Sequence, residues 1–217
     1  ETLALKLRGG EFIERQDFQG MRFDGLDLSG GALRDCDFSN ASLRGAKLAE
    51  SAFDACRFDG AVLDGADLQR AGFHRCSLAR ASLRGATMSR AAFSDCELHE
   101  ADAAEAKADL AAFHQSRLEG ASFAGADLTK AVFGESSLAG TRFDAVTLDT
   151  TVYYRAALRD ARFTGASFRN VIFSEADLAG QDFSGQQFRL CQFIDADLGA
   201  CNFDRATLVQ CNFKGAK

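Results

Sequence analysis

The chain alternates one large apolar residue with four small or polar ones from Ile13 to Phe213. Positions ending in 3 or 8 hold 19 Phe and 17 Leu, with Ile13, Met88, Tyr153, Ala103 and Ala108 completing the set; Phe12 is the one Phe outside this register. Positions ending in 1 or 6 are small, mostly Ala, and carry all seven Cys. Of the 20 glycines, 15 fall at positions ending in 0 or 5. An α-helix, turning about 100° per residue, would scatter such central residues around its whole surface. A straight strand would send alternate ones to opposite faces. A chain that bends once per repeat keeps every central side chain inward, and Gly or short polar residues tolerate the corner. The pattern therefore predicts a polygonal coil with a filled interior.

Ladders give the number of sides. Cys36, Cys56, Cys76 and Cys96 recur at twenty-residue spacing, as do Gly25, Gly45, Gly65 and Gly85. The same spacing links Phe53, Phe73, Phe93, Phe113, Phe133, Tyr153, Phe173, Phe193 and Phe213 into one expected core column. Four repeats per turn make about ten coils, and strand-like spacing of ~4.8 Å makes a rod roughly 48 Å long.

Ala66-Asp67-Leu68-Gln69-Arg70, Ala126-Asp127-Leu128-Thr129-Lys130 and Ala196-Asp197-Leu198-Gly199-Ala200 fit the pattern A(D/N)LXX, and Cys201-Asn202-Phe203-Asp204-Arg205 is its Phe-centred form. From about residue 13 onward the chain resembles the pentapeptide-repeat proteins. That resemblance implies an all-β solenoid, a right-handed quadrilateral β-helix of about ten coils with four pentapeptides per coil. Residues 1–12, where Leu3, Leu5 and Leu7 alternate with polar neighbours, read as a strand capping the first coil. The last coil has no evident cover, so end-to-end pairing into a homodimer, or a further C-terminal segment, is expected. The first residue, Glu1, also reads as the start of an excised or processed segment.

One stretch departs from the pattern. From His99 to Leu110 both central positions are Ala and helix propensity is high. Two readings stand: the coil continues with two underfilled core sites, or about ten residues near 100–112 leave the rod as a helix or loop. Because loops on rigid scaffolds commonly carry function, Glu100, Asp102, Glu105, Lys107 and Asp109 are the candidate protein-binding residues.

Composition narrows the chemistry. There are 25 basic and 31 acidic side chains, a net charge of -6, and no apolar run long enough to cross a bilayer. A basic nucleic-acid binder is thereby disfavoured, and a reduced, cytoplasmic setting in a bacterium is expected. Cys36, Cys56, Cys76 and Cys96 share the inward slot otherwise given to Ala, so buried thiols are expected rather than metal ligands or disulfides. Stacked Cβ atoms near ~4.8 Å exceed the span a relaxed bridge takes, and no CxxC spacing occurs. His74, His99 and His114 follow central positions and should point outward. No phosphate loop, GxSxG or HExxH is present. The expectation is no catalytic site, no cofactor and no metal.

Two functions remain. One is a rigid, non-catalytic scaffold for an unidentified protein partner, as a module of a longer bacterial, secretion-associated protein. The other is implied by resemblance to the quinolone-resistance branch of the family: a DNA mimic that binds DNA gyrase or a related type II topoisomerase and protects it from inhibitors. Full imitation of duplex over this length would need roughly 28 negative charges. Asp24, Arg44, Asp64 and Arg84, one coil apart, point instead to salt-bridge ladders. The chain also ends in repeat, without the apolar C-terminal helix of those relatives, which favours the scaffold.

Overall fold

The computed structural model describes residues 2–217. A short helix, α1 (Thr2–Arg8), leads into a four-sided solenoid in which each side is one pentapeptide. The third residue of each unit points in, and the second and fourth point out. Parallel pairing in register one coil apart runs the length of the rod, as between Phe53 and Phe73 or Phe93 and Phe113. The core column stacks as expected: Phe73 on Phe93 at 4.8 Å and 5°, Phe93 on Phe113 at 4.9 Å and 3°, Tyr153 on Phe173 at 5.2 Å and 7°. Phe213 departs from the expected burial. It stacks on Phe193 at 4.8 Å yet stays 37% exposed, because no described coil lies above it.

The corner imposes a backbone demand that the composition only partly meets. Every fifth residue from Gly10 to Gly215 has positive φ, and the non-glycines among them, from Arg15 to Gln210, lie between 50° and 61°. In most corners the next unit's first N–H returns to the central carbonyl, as Ala46 to Leu43 at 3.1 Å, which makes the corner a turn of the kind that needs a left-handed third residue. At Gly65, with φ +65°, an added Cβ would meet nothing within 4 Å, so substitution there tests the backbone alone. Gly65→Val should cost about 1–2 kcal/mol in urea unfolding. A neutral result would show that this corner tolerates a β-branched residue freely.

The second position explains the Asp and Asn of the repeat. On sides without a strand the N–H of the fourth residue stays out of the coil-to-coil ladder, and where the second residue is Asp or Asn its side chain accepts that N–H. Asp67 takes the Gln69 N–H at 3.1 Å, Asp127 that of Thr129 at 3.0 Å and Asn202 that of Asp204 at 2.9 Å. An outward amide is thereby satisfied without a partner strand.

One side of each coil is more extended than the other three. This side forms a seven-stranded parallel sheet from β1 (Phe12–Glu14) to β7 (Val132–Gly134), then a four-stranded one from β8 (Thr147–Asp149) to β11 (Thr207–Val209). Between β7 and β8 the extended side moves to the neighbouring face, since the step is fifteen residues rather than twenty. Corners that follow these strands lack the N–H-to-carbonyl turn bond. There the central carbonyl also accepts from the first-position side chain of the next coil: Cys76 Sγ to Phe53 at 3.5 Å, Ser116 Oγ to Phe93 at 3.2 Å, Ser136 Oγ to Phe113 at 3.1 Å. Cys and Ser thus do one job, and it differs from that of Ala.

Two expectations are corrected. In place of the capping strand expected over 1–12, Thr2–Arg8 form a helix; Leu3, Ala4 and Leu7 are buried on one side of α1 while Leu5 is 67% exposed, a helical rather than an alternating pattern. Gly10, at φ +75°, closes the helix: Gly10 N–H donates to Leu7 and Glu11 N–H to Lys6. Of the two readings for 100–112, the coil continues and the excursion is overturned. Ala103 and Ala108 are buried, and their backbones pair with both neighbouring coils, with Leu83 N–H to Asp102 and Ala103 N–H to Ser122 both at 2.7 Å. A helix would strand those groups on each side. A void of about 10 Å³ remains there, lined by Ala103, Met88, Leu98 and Phe113.

Candidate interaction surface

The five residues proposed from sequence do not converge. Glu100 and Glu105 are corners with φ of 56° and 60°. Glu100 pairs with Arg80 at 2.9 Å, and Glu105 lies 3.9 Å from Arg84. Asp102 is committed to the Ala104 N–H at 3.0 Å and to Arg84 at 2.8 Å. Lys107 and Asp109 occupy the next side, where Asp109 accepts from the Ser89 hydroxyl. They are ladder rungs on adjacent sides of one coil, and no loop presents them.

Opposite charges one coil apart are the rule on this exterior. Arg44 meets Asp64 at 2.6 Å, Arg34 meets Asp54 at 3.0 Å, and Arg155 meets Glu175 at 2.7 Å. Arg84, expected to continue the Asp24, Arg44, Asp64 column, pairs instead with Asp102. Asp54 is the most connected. Arg75 at 2.6 Å and His74 at 3.0 Å join Arg34 around it, and the Arg75 hydrogen bond, then that from His74, lowers its pKa from 3.8 to about 2. Because the folded value is the lower one, this carboxylate stabilises the fold above pH 3.8, and that contribution fades as pH falls through 2. A carboxyl-carbon NMR titration should place its midpoint near 2 in the wild type and higher in Arg75→Gln. An unmoved midpoint would remove Arg75 as the cause.

Five of the seven thiols are interior, and Cys201 and Cys211, near the end of the rod, are half-buried. Cys36, Cys56, Cys76 and Cys96 are buried and unpaired as disulfides. The neighbouring Cys56 thiol and then burial push the Cys36 thiol far above its ordinary range, and burial pushes Cys191 up to about 11. Neutral S–H groups are what carbonyl capping requires. His74, His99 and His114 lie on the exterior. Among the described residues no three His, Cys, Asp or Glu side chains are placed to hold a metal ion, and no helix is long and apolar enough to cross a membrane.

One face breaks the charged pattern. On the side that carries β7, the second-position residues of successive coils are Val132, Val152 and Ile172, bridged in parallel. Fourth-position Tyr154 and Ile194 lie beside them, and the corners Leu110 and Leu190 border them. Val132, Leu110 and Leu190 are 39%, 41% and 38% exposed, and the other four are half-buried. Among the described residues away from the two ends of the rod, Val62 is the one other large aliphatic or aromatic side chain directed outward. The patch is edged by Lys130 on the leading corner and by Glu135, Glu175 and Asp195 on the trailing one, all exposed. The residue types alone could have revealed it, since β-branched side chains recur at 132, 152 and 172 in an outward register once the chain is wound four repeats to a coil.

A model of the pentapeptide repeat region matches residues 66–143, and a model of eight-copy pentapeptide repeats matches 36–75, 154–185 and 187–217. No curated protein matches the chain in sequence. Among solved structures it is similar to a trypsin-treated form of QnrB1, described as a plasmid-mediated fluoroquinolone resistance protein, with 18% identity, 91% of each chain covered and a TM-score of 0.62. Full-length QnrB1 aligns at 21% identity over 95% of this chain and 92% of its own, with a TM-score of 0.51. HetL, a pentapeptide repeat protein involved in heterocyst differentiation regulation in the cyanobacterium Nostoc sp. strain PCC 7120, aligns at 22% identity over 94% and 89%, with a TM-score of 0.41.

Proposed function

The chain belongs to the pentapeptide-repeat family, and from that premise we propose that it is a rigid, non-catalytic protein-binding rod whose working surface is the apolar face around Val152. The observation that carries this reading is the grouping of outward Val, Ile, Leu and Tyr side chains on one side of a molecule otherwise covered by paired charges. A contiguous apolar patch rimmed by charge marks a protein contact. The stacked interior supports the role, because it holds that face flat and spends no energy ordering it on binding. A photo-cross-linking residue placed at Val152 should give protein adducts in the host, whereas one at Ser82, on another face, should not. Equal yields from both positions, or none from either, would reject the face as the working surface.

A second reading follows from the fold likeness to QnrB1, which spans 91% of each chain: imitation of DNA towards a type II topoisomerase. The cross-coil pairing of Arg44 with Asp64 and Arg155 with Glu175 breaks up any continuous acidic stripe, so this reading ranks below the first. Unchanged gyrase supercoiling and unchanged quinolone sensitivity at micromolar protein would eliminate it.

A further inference from the structure

We infer that the apolar face pairs with the same face of a second copy, the two rods lying side by side and pointing the same way. This rests on the reading of that face as a protein-binding surface and names its occupant.

The argument is one of charge and register. A two-fold axis parallel to the rods sets the leading corner of each coil against the trailing corner of the same coil in the other copy. The corners then meet as Arg90 with Asp95, Lys130 with Glu135, Asn170 with Glu175, and Leu190 with Asp195 beside Arg189. Within these six coils both meetings of two charged corners are of opposite sign; one coil below, Arg70 would face Arg75, each already paired within its own copy, with Glu50 at 3.2 Å and Asp54 at 2.6 Å. An axis perpendicular to the rods at the level of Val152 would instead bring Glu135 over Glu175 and Arg155 over its own counterpart, placing like charges together. In the parallel arrangement second-position residues face fourth-position ones, so Val152 meets Tyr154, and Val132 projects towards Gly134, which offers no side chain. The Arg155 guanidinium lies over the Tyr154 ring at 5.0 Å.

Area sets the strength. Six coils at ~4.8 Å and a face with its corners roughly 20 Å wide bury on the order of 1,000 Å² over both copies. That is the lower limit for a specific interface, so the dimer should dissociate at micromolar concentrations.

Sedimentation equilibrium of the purified chain, from about 1 to several hundred micromolar, tests this. A reversible monomer–dimer equilibrium is expected. Val152→Asp, at an outward site, should weaken it about tenfold or more. Lys130→Glu should weaken it several-fold, and adding Glu135→Lys should restore it, because the exchanged charges meet again across the axis. Circular dichroism of each variant confirms the fold. A chain that stays monomeric at the highest concentration overturns the inference; if the Val152 cross-linker still captures another protein, the binding-face reading survives without it. A dimer indifferent to Val152→Asp but lost in Phe213→Asp moves association to the end of the rod and also overturns it. Failure of the double charge exchange to restore pairing overturns the parallel arrangement.

Discussion

Phe113→Ala should destabilise the rod more than truncation of an end residue of the same column. Phe113 is buried, stacks on Phe93 and Phe133 at 4.9 Å each, and meets Phe123 edge-on at 5.5 Å. Removing a buried ring from such a site costs about 3–5 kcal/mol. The upper part of that range is expected, because the neighbouring coil already contains Ala103 and a void of about 10 Å³ that Phe113 helps to line. Few side chains are left to collapse into the new space, and four-sided winding restrains the backbone from closing it. Phe213→Ala, which removes the 37%-exposed ring at the end of the same column, is the control and should cost far less. Urea unfolding of the two variants gives the comparison. Hydrogen exchange adds a second readout, since in a solenoid each coil supports its neighbours and a central defect should lower protection on both sides of it. Equal losses for the two variants would show that the core is not continuous through the Ala103 coil.

Tyr153→Phe should change stability in the opposite direction. Tyr153 is fully buried in a column of Phe, stacked on Phe133 at 5.1 Å and Phe173 at 5.2 Å, and its hydroxyl has no hydrogen-bond partner. An unsatisfied buried polar group carries a penalty of about 1–3 kcal/mol, and Phe fills the same space without it. The gain should widen in alkali. Burial raises the Tyr153 pKa well above 10.0, so above that pH the unfolded chain ionises while the folded one does not, and stability falls as pH rises. The Phe variant lacks this loss. A thermal midpoint no higher than wild type at pH 7 would show that the hydroxyl does find a partner in solution.

Much of the architecture was readable because a five-residue period leaves the chain one way to hide its central side chains. The stacking of Phe73 on Phe93, the burial of Cys36 to Cys96 and the outward His74 all follow from register alone. The move of the extended side also has a trace in the chain. Cys36, Cys56, Cys76 and Cys96 follow strands at one corner, and Cys191 and Cys211 follow strands at the adjacent one, whereas Cys201 follows a side without a strand. The candidate site was harder to see. Ala103 and Ala108 are a local anomaly within one stretch of sequence, whereas the apolar face consists of residues twenty apart, each ordinary among its neighbours in sequence.

The amino-acid order by itself determined the period, the inward set and the number of sides, since these depend on spacing and on the cost of leaving Phe and Leu in water. Tertiary structure decided the rest. It made residues 2–8 a helix, because Leu3, Ala4 and Leu7 could be buried together against the first coil. It kept 100–112 in the winding, because the coils on either side needed its backbone N–H and carbonyl groups. It also gathered Val132, Val152 and Ile172 into one surface, which only winding the chain into coils brings about.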